Sequence, residues 1–126
     1  AENFMTIDKI REIIKSPDSD YDHEIPEKLR SHEFAKAYKK YVQQEIKPYG
    51  YELVNFNENW CECSGFVTDG SHYVYFNSGD YRTSSPYCDV FEDVLVRQAK
   101  NERDYTGGSN TFCPLSQLGK RINELM

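Results

Sequence analysis

The stretch from Tyr51 to Tyr81 constrains this chain most. Tyr51–Phe56, Trp60–Thr68 and Ser71–Asn77 are each short, rich in aromatic and β-branched residues, and bounded by polar breaks. Asp69-Gly70 lies between the second and third runs. Glycine accepts the positive φ of a tight hairpin turn, so the pair predicts antiparallel neighbours. The three runs therefore read as a three-stranded antiparallel meander. Alternation places Tyr51 with Leu53 on one face of the first strand, and Val54 with Phe56 on the other. In the third strand His72, Val74 and Phe76 oppose Tyr73, Tyr75 and Asn77.

The flanking segments read as helices. Ile7, Ile10 and Ile14 recur at helical spacing behind a Thr6 cap, which predicts a helix over 7–15. A second helix starts near Pro26 or at a Ser31 cap and ends near Ile46, with Phe34, Tyr38, Tyr41, Val42 and Ile46 buried. The acidic Pro17–Ile25 segment between them reads as a solvated loop. Ser85-Pro86 opens a third predicted helix, whose stripe is Tyr87, Val90, Phe91, Val94, Leu95 and Ala99. Asp89, Glu92 and Asp93 favour its N-terminal dipole. Asn101–Thr111 reads as a polar loop, and Pro114 opens a last helix with Leu115, Leu118, Ile122 and Leu125 on one seam. The expected fold is a single α+β domain over 1–126, in the order α-α-β-β-β-α-α, with helices mainly on one sheet face.

Composition narrows the function classes. At 126 residues the chain is long enough for one real core. Its 21 acidic against 15 basic residues give a net charge of −6, which disfavours a general polyphosphate binder. Lys36, Lys39 and Lys40 form the most basic local surface, the site of a nucleic-acid alternative. No apolar run is long enough to span a membrane. The N-terminal Ala-Glu-Asn-Phe-Met-Thr lacks a basic and apolar leader pattern. A cytoplasmic protein with reduced thiols is therefore expected.

Four cysteines, Cys61, Cys63, Cys88 and Cys113, are spaced unlike a zinc knuckle, so no metal or other cofactor is expected. The competing reading is a small Cys/His enzyme or zinc module built on Cys61, Cys63 and His72. It needs a thiolate beside an imidazole. Gly107-Gly108 reads as a tight turn, since the phosphate-loop pattern around it is missing.

The polar loops on either side of the predicted third helix carry Tyr81, Arg82, Arg103 and Tyr105. Tyrosine and arginine are the residues that dominate binding hot spots. With Tyr73 and Tyr75 on an uncovered sheet face, these six residues form the predicted binding surface. The leading expectation is a non-catalytic protein that binds another macromolecule, a protein in the first instance. On that expectation Tyr75→Ala leaves the melting temperature nearly unchanged.

Two resemblances add to this reading. Ser78-Gly-Asp-Tyr-Arg and the run from Val96 to Asn110 resemble a family of small uncharacterised proteins carried on mobile elements of Gram-positive gut bacteria. The resemblance covers roughly Tyr49 to Thr111. It implies a bacterial, element-borne origin, a setting in which small acidic proteins include inhibitors of host defence. The α-β-β-β-α order also resembles a double-stranded RNA-binding domain, whose helix after the sheet meets phosphates with basic residues. Here that position carries Asp89, Glu92 and Asp93, which opposes RNA binding.

Overall fold

The computed structural model describes residues 4–15, 27–82 and 89–126. The acidic Pro17–Ile25 loop, Pro26, Pro86, Tyr87 and Cys88 lie outside them. Among the described residues three α-helices, α1 (Ile7–Ile14), α2 (Glu27–Ile46) and α3 (Leu118–Leu125), accompany six strands. The strands are β1 (Glu52–Asn59), β2 (Glu62–Thr68), β3 (Tyr73–Asn77), β4 (Val94–Asn101), β5 (Asp104–Gly107) and β6 (Thr111–Cys113). All pairings are antiparallel, in the order β1-β2-β3-β4-β5, with β6 also paired to β4. The fold is thus α+β, and the predicted meander is matched in part. Its strands are β1–β3 of a larger sheet, but the expected turn Asn57-Glu58-Asn59 is paired strand, and the chain turns at Trp60-Cys61 instead.

The helices form where periodicity and capping place them. The Thr6 hydroxyl accepts from the Lys9 amide at 3.2 Å and starts α1. Helix α2 buries Phe34, Tyr38, Tyr41, Val42 and Ile46, the expected stripe. Ser31 is not a cap. It is a buried residue inside α2 that donates to the Asn59 carbonyl and accepts from the Cys61 amide at 2.7 Å. That exchange ties the β1–β2 turn to α2.

The predicted third helix is overturned. Val94–Asn101 is strand β4, paired with β3 through Tyr73↔Ala99, Tyr75↔Arg97 and Asn77↔Leu95. The segment has two competing periods. Val90, Phe91, Val94 and Leu95 fit a helix, whereas buried Val94 and Val96 alternating with half-buried Leu95 and Arg97 fit a strand. The strand wins because β3 would otherwise present an unpaired edge with apolar residues on both faces. The acidic residues close a single turn instead of starting a helix: Asp89 accepts from the Phe91 and Asp93 amides, and Asp93 accepts from the Asp89 amide. The predicted Asn101–Thr111 loop likewise contains β5, which returns along β4 after the Glu102-Arg103 turn.

Two registers also differ from simple alternation. Between Val54↔Phe66 and Asn57↔Ser64, two residues of β1 oppose one of β2. Asn55 takes φ 50° in this bulge, a left-handed conformation that asparagine tolerates. The bulge moves Phe56 onto the face of Leu53, where both pack against the core. Gly65 sits opposite the bulge. A Cβ there would lie 3.1 Å from the Phe76 ring and 3.2 Å from the Leu53 side chain.

The β2–β3 connection is a four-residue loop, because Thr68 pairs with Tyr73. Asp69 organises it by accepting from the Ser71 and His72 amides at 2.8 and 2.7 Å. The His72 amide foremost, then that of Ser71 and the imidazole, hold the Asp69 carboxyl down at about 2. An unfolded aspartate titrates near about 3.9. The charge-dependent part of the turn's stability is therefore complete above the unfolded value and lost as pH falls toward 2. The melting-temperature gap between wild type and Asp69→Asn should be constant from pH 7 to 5, then close as pH falls from 4 to 2. A gap independent of pH across that range would show that the charge contributes nothing.

The core lies between the helices and one sheet face, carried by Cys63, Val67, Val74, Phe76, Val94 and Val96. Phe76 stacks on Tyr38, with ring centroids 6.1 Å apart and planes 17° apart. Among the described residues no helix packs on the opposite sheet face; the three helices bury their apolar residues in this core.

Candidate binding face

Residues directly opposite in an antiparallel ladder share a face. The register therefore builds the helix-free face in rows. One row is Val54, Phe66, Tyr75 and Arg97; a second is Thr68, Tyr73 and Ala99; a third is Ser64, Asn77, Leu95 and Phe112. Tyr105 of β5 lies over the first row, 4.9 Å from the Tyr75 ring. Tyr75 in turn is 5.1 Å from Phe66. These three rings form a satellite aromatic layer on the far side of the sheet from the main core.

Exposure is graded across this layer. Phe66 is 3% exposed, Tyr105 51% and Phe112 56%, while Tyr73 and Tyr75 are half-buried. The Tyr75 hydroxyl accepts from the Asn77 amide group at 3.1 Å. The Arg97 guanidinium lies 5.8 Å from the Tyr105 ring and donates to Gly108 O and Asn110 Oδ1, both at 2.6 Å. Arg97 thus clamps the β5–β6 connection onto the aromatic layer.

The sheet curls around this face. Asn55 of β1 donates its side-chain amide to the Glu102 carbonyl in the β4–β5 turn at 2.5 Å. In a flat sheet β1 and β4 would stand about 14 Å apart, three spacings of roughly 4.8 Å. The bond is possible only because the β4–β5 hairpin bends back over the Tyr75 face.

The six predicted binding residues divide into two groups. Tyr73, Tyr75 and Tyr105 lie on the helix-free face, with Arg103 exposed at the hairpin tip beside them in the chain. Tyr81 and Arg82 lie elsewhere. Tyr81 is 9% exposed, packs its ring tilted against Phe34 with centroids 4.8 Å apart, and donates its hydroxyl to Glu27. Burial pushes its phenol far above the usual range. Arg82 is folded onto Asp80, with Nε and Nη2 donating to the two carboxylate oxygens at 3.0 and 2.6 Å. Tyr81 anchors the end of the meander to α2, and its ring offers little surface to a partner.

Phe66, Arg97 and Phe112 belong to the face but were not singled out for it in the sequence. For Arg97 the signal is the alternation Val94-Leu95-Val96-Arg97, which points it away from the core once the segment is read as a strand.

The thiols and imidazoles of the competing Cys/His reading are held apart. Cys61, Cys63 and Cys113 are buried free thiols. Burial raises the titration of each, which disfavours the thiolate needed for nucleophilic attack. The Cys61 sulfur contacts Glu27 at 3.7 Å. His72 pairs with Asp69 at 3.1 Å in the β2–β3 loop, at the opposite end of β2 from Cys61 and Cys63. His32 pairs with Glu58. Among the described residues no three metal-ligating side chains converge. Lys39, one of the three basic residues of the nucleic-acid alternative, lies with its ammonium 5.6 Å from the Phe56 ring. No helix among the described residues is long and apolar enough to cross a membrane. No protein-family model, curated protein or solved structure matches the chain.

Proposed function

We propose that this chain is a non-catalytic binding protein that engages another protein through the helix-free face of its sheet. The observation that carries the reading is the set of aromatic side chains, spread over three rows of one sheet face, that no described helix covers: Tyr73, Tyr75, Tyr105 and Phe112. Tyrosine combines rigid apolar area with a hydroxyl and loses little entropy on contact, which suits a protein-binding surface. Exposed Arg103 at the hairpin tip adds a cation at its margin. Tyr81 serves this surface only indirectly, by fixing the segment after β3 against α2, and Arg82 is held on Asp80.

A photo-crosslinking residue tests the reading from two positions. Placed at Tyr105 in the full chain, and exposed to an extract of the native source, it should yield a discrete protein adduct. Placed at Lys36 on the outer face of α2, it should not. Tyr73→Ala should reduce the Tyr105 adduct severalfold without altering the fold. Equal adducts from the two positions, or a Tyr105 adduct removed by nuclease, would reject the aromatic face as a protein-binding surface.

A further inference from the structure

The β4–β5 hairpin is built unlike the rest of the sheet. Its ladder has two register pairs, Ala99↔Gly107 and Asn101↔Asp104, with an irregularity between Ala99 and Asn101. Its return strand has four residues, and Gly107 ends it at φ 109°. By contrast, β2 and β3 are joined by five consecutive pairs. Short, irregular pairing with exposed residues is the mark of a unit that opens below the free energy of global unfolding.

What this hairpin covers is apolar. Phe66 lies outside the main core cluster yet is 3% exposed. The Tyr75 ring packs beside it, and Tyr105 of the hairpin packs on Tyr75. The tip is held to β1 by the bond from the Asn55 amide to the Glu102 carbonyl. Just beyond Gly107, Arg97 pins Gly108 and Asn110 to the sheet. The segment 102–107 is therefore fixed beyond its base, bounded by a positive-φ glycine and by the β4 irregularity, and tied to β1 at its tip by one side chain.

We propose that residues 102–107 form a hinged flap, latched to β1 by Asn55, whose opening uncovers the Phe66–Tyr75 aromatic layer. Its role as a gate rests on the binding face proposed above; the opening itself does not. A partner that packs on Phe66 and Tyr75 would bind the open form and pull the equilibrium toward it.

Relaxation-dispersion NMR on the full chain reads the opening without a partner. Tyr105 leaving Tyr75 and Arg97 changes the ring-current shifts of residues 75, 97 and 102–107. Two variants unlatch the tip while preserving the bulge. Asn55→Gly accepts the positive φ without a side chain, and Asn55→Asp tolerates the left-handed conformation but has no donor. Each should raise the open population about fivefold, the factor that one typical net hydrogen bond supplies. Signals from the β2–β3 ladder should stay unchanged. Three results would overturn the flap: no exchange at 102–107 in any of the three proteins, exchange spread evenly over β2 to β4, or an open population that neither variant alters. A failed flap leaves the crosslinking result from Tyr105 standing, and a failed crosslink leaves the measured opening standing.

Discussion

Phe76→Ala should cost the fold about 3–5 kcal/mol, the range for deleting a fully buried aromatic ring. Phe76 is 0% exposed. Its ring stacks on Tyr38, lies 6.4 Å from Phe56, and occupies the space left by the missing side chain of Gly65. Truncation would open a cavity bounded by α2, β1 and β2 together, so relaxation of one element alone could not fill it. The neighbouring Tyr75→Ala removes a ring of similar size from the other face. Its half-buried position between Phe66 and Tyr105 sets the expected loss at about 1–2 kcal/mol, above the near-zero effect that an uncovered face implies. Urea unfolding of both variants checks the order. Equal losses would mean that the two sheet faces are equally buried, and the distinction between the core and the helix-free face would fail.

Gly119→Ala should also destabilise, by about 1–3 kcal/mol, the cost of forcing extra volume into a packed contact. The direction is opposite to helix propensity, in which alanine exceeds glycine by roughly 1 kcal/mol. Gly119 lies in the first turn of α3, and a Cβ there would stand 2.7 Å from the Glu45 carbonyl oxygen and 3.2 Å from its carbon. Backbone cannot rotate away as a side chain can, so α3 would have to shift off α2. That shift would also disturb β4, since Gln98 donates to the Leu125 carbonyl at the far end of α3 at 3.0 Å. The exposed neighbour provides the control: Lys120→Ala should change stability by less than about 0.5 kcal/mol. A Gly119→Ala variant as stable as wild type in thermal melts would show that the two helices are not in backbone contact.

Much of the proposed binding face was legible from one local rule. Once Tyr73–Asn77 is a strand, period-two geometry alone puts Tyr73 and Tyr75 opposite Val74 and Phe76, whichever face the helices choose. The α2 stripe was equally local, because Phe34, Tyr38, Tyr41, Val42 and Ile46 follow the 3.6-residue repeat without interruption. Tyr81 was not legible in this way. Its ring is buried by Phe34 and its hydroxyl is bonded to Glu27, both distant in the chain, so a polar loop context suggested exposure that the packing removes.

The α+β class, the three strand runs of the meander, the Thr6 cap, the α2 stripe and the last helix were determined by the sequence itself. Each depends on contacts within a few residues or on a single uninterrupted period. The tertiary structure decided the rest. Val94–Asn101 satisfies two periods over the same residues, and it became a strand because the edge of β3 supplies hydrogen-bond partners that a helix would leave unused. The bulge at Asn55 inverted the face of Phe56 with no change in composition to announce it. The curl that brings Tyr105 onto Tyr75 joins residues 30 positions apart through a bond from a third strand. Local propensity is blind to such pairings, because their free energy exists only after the strands have met.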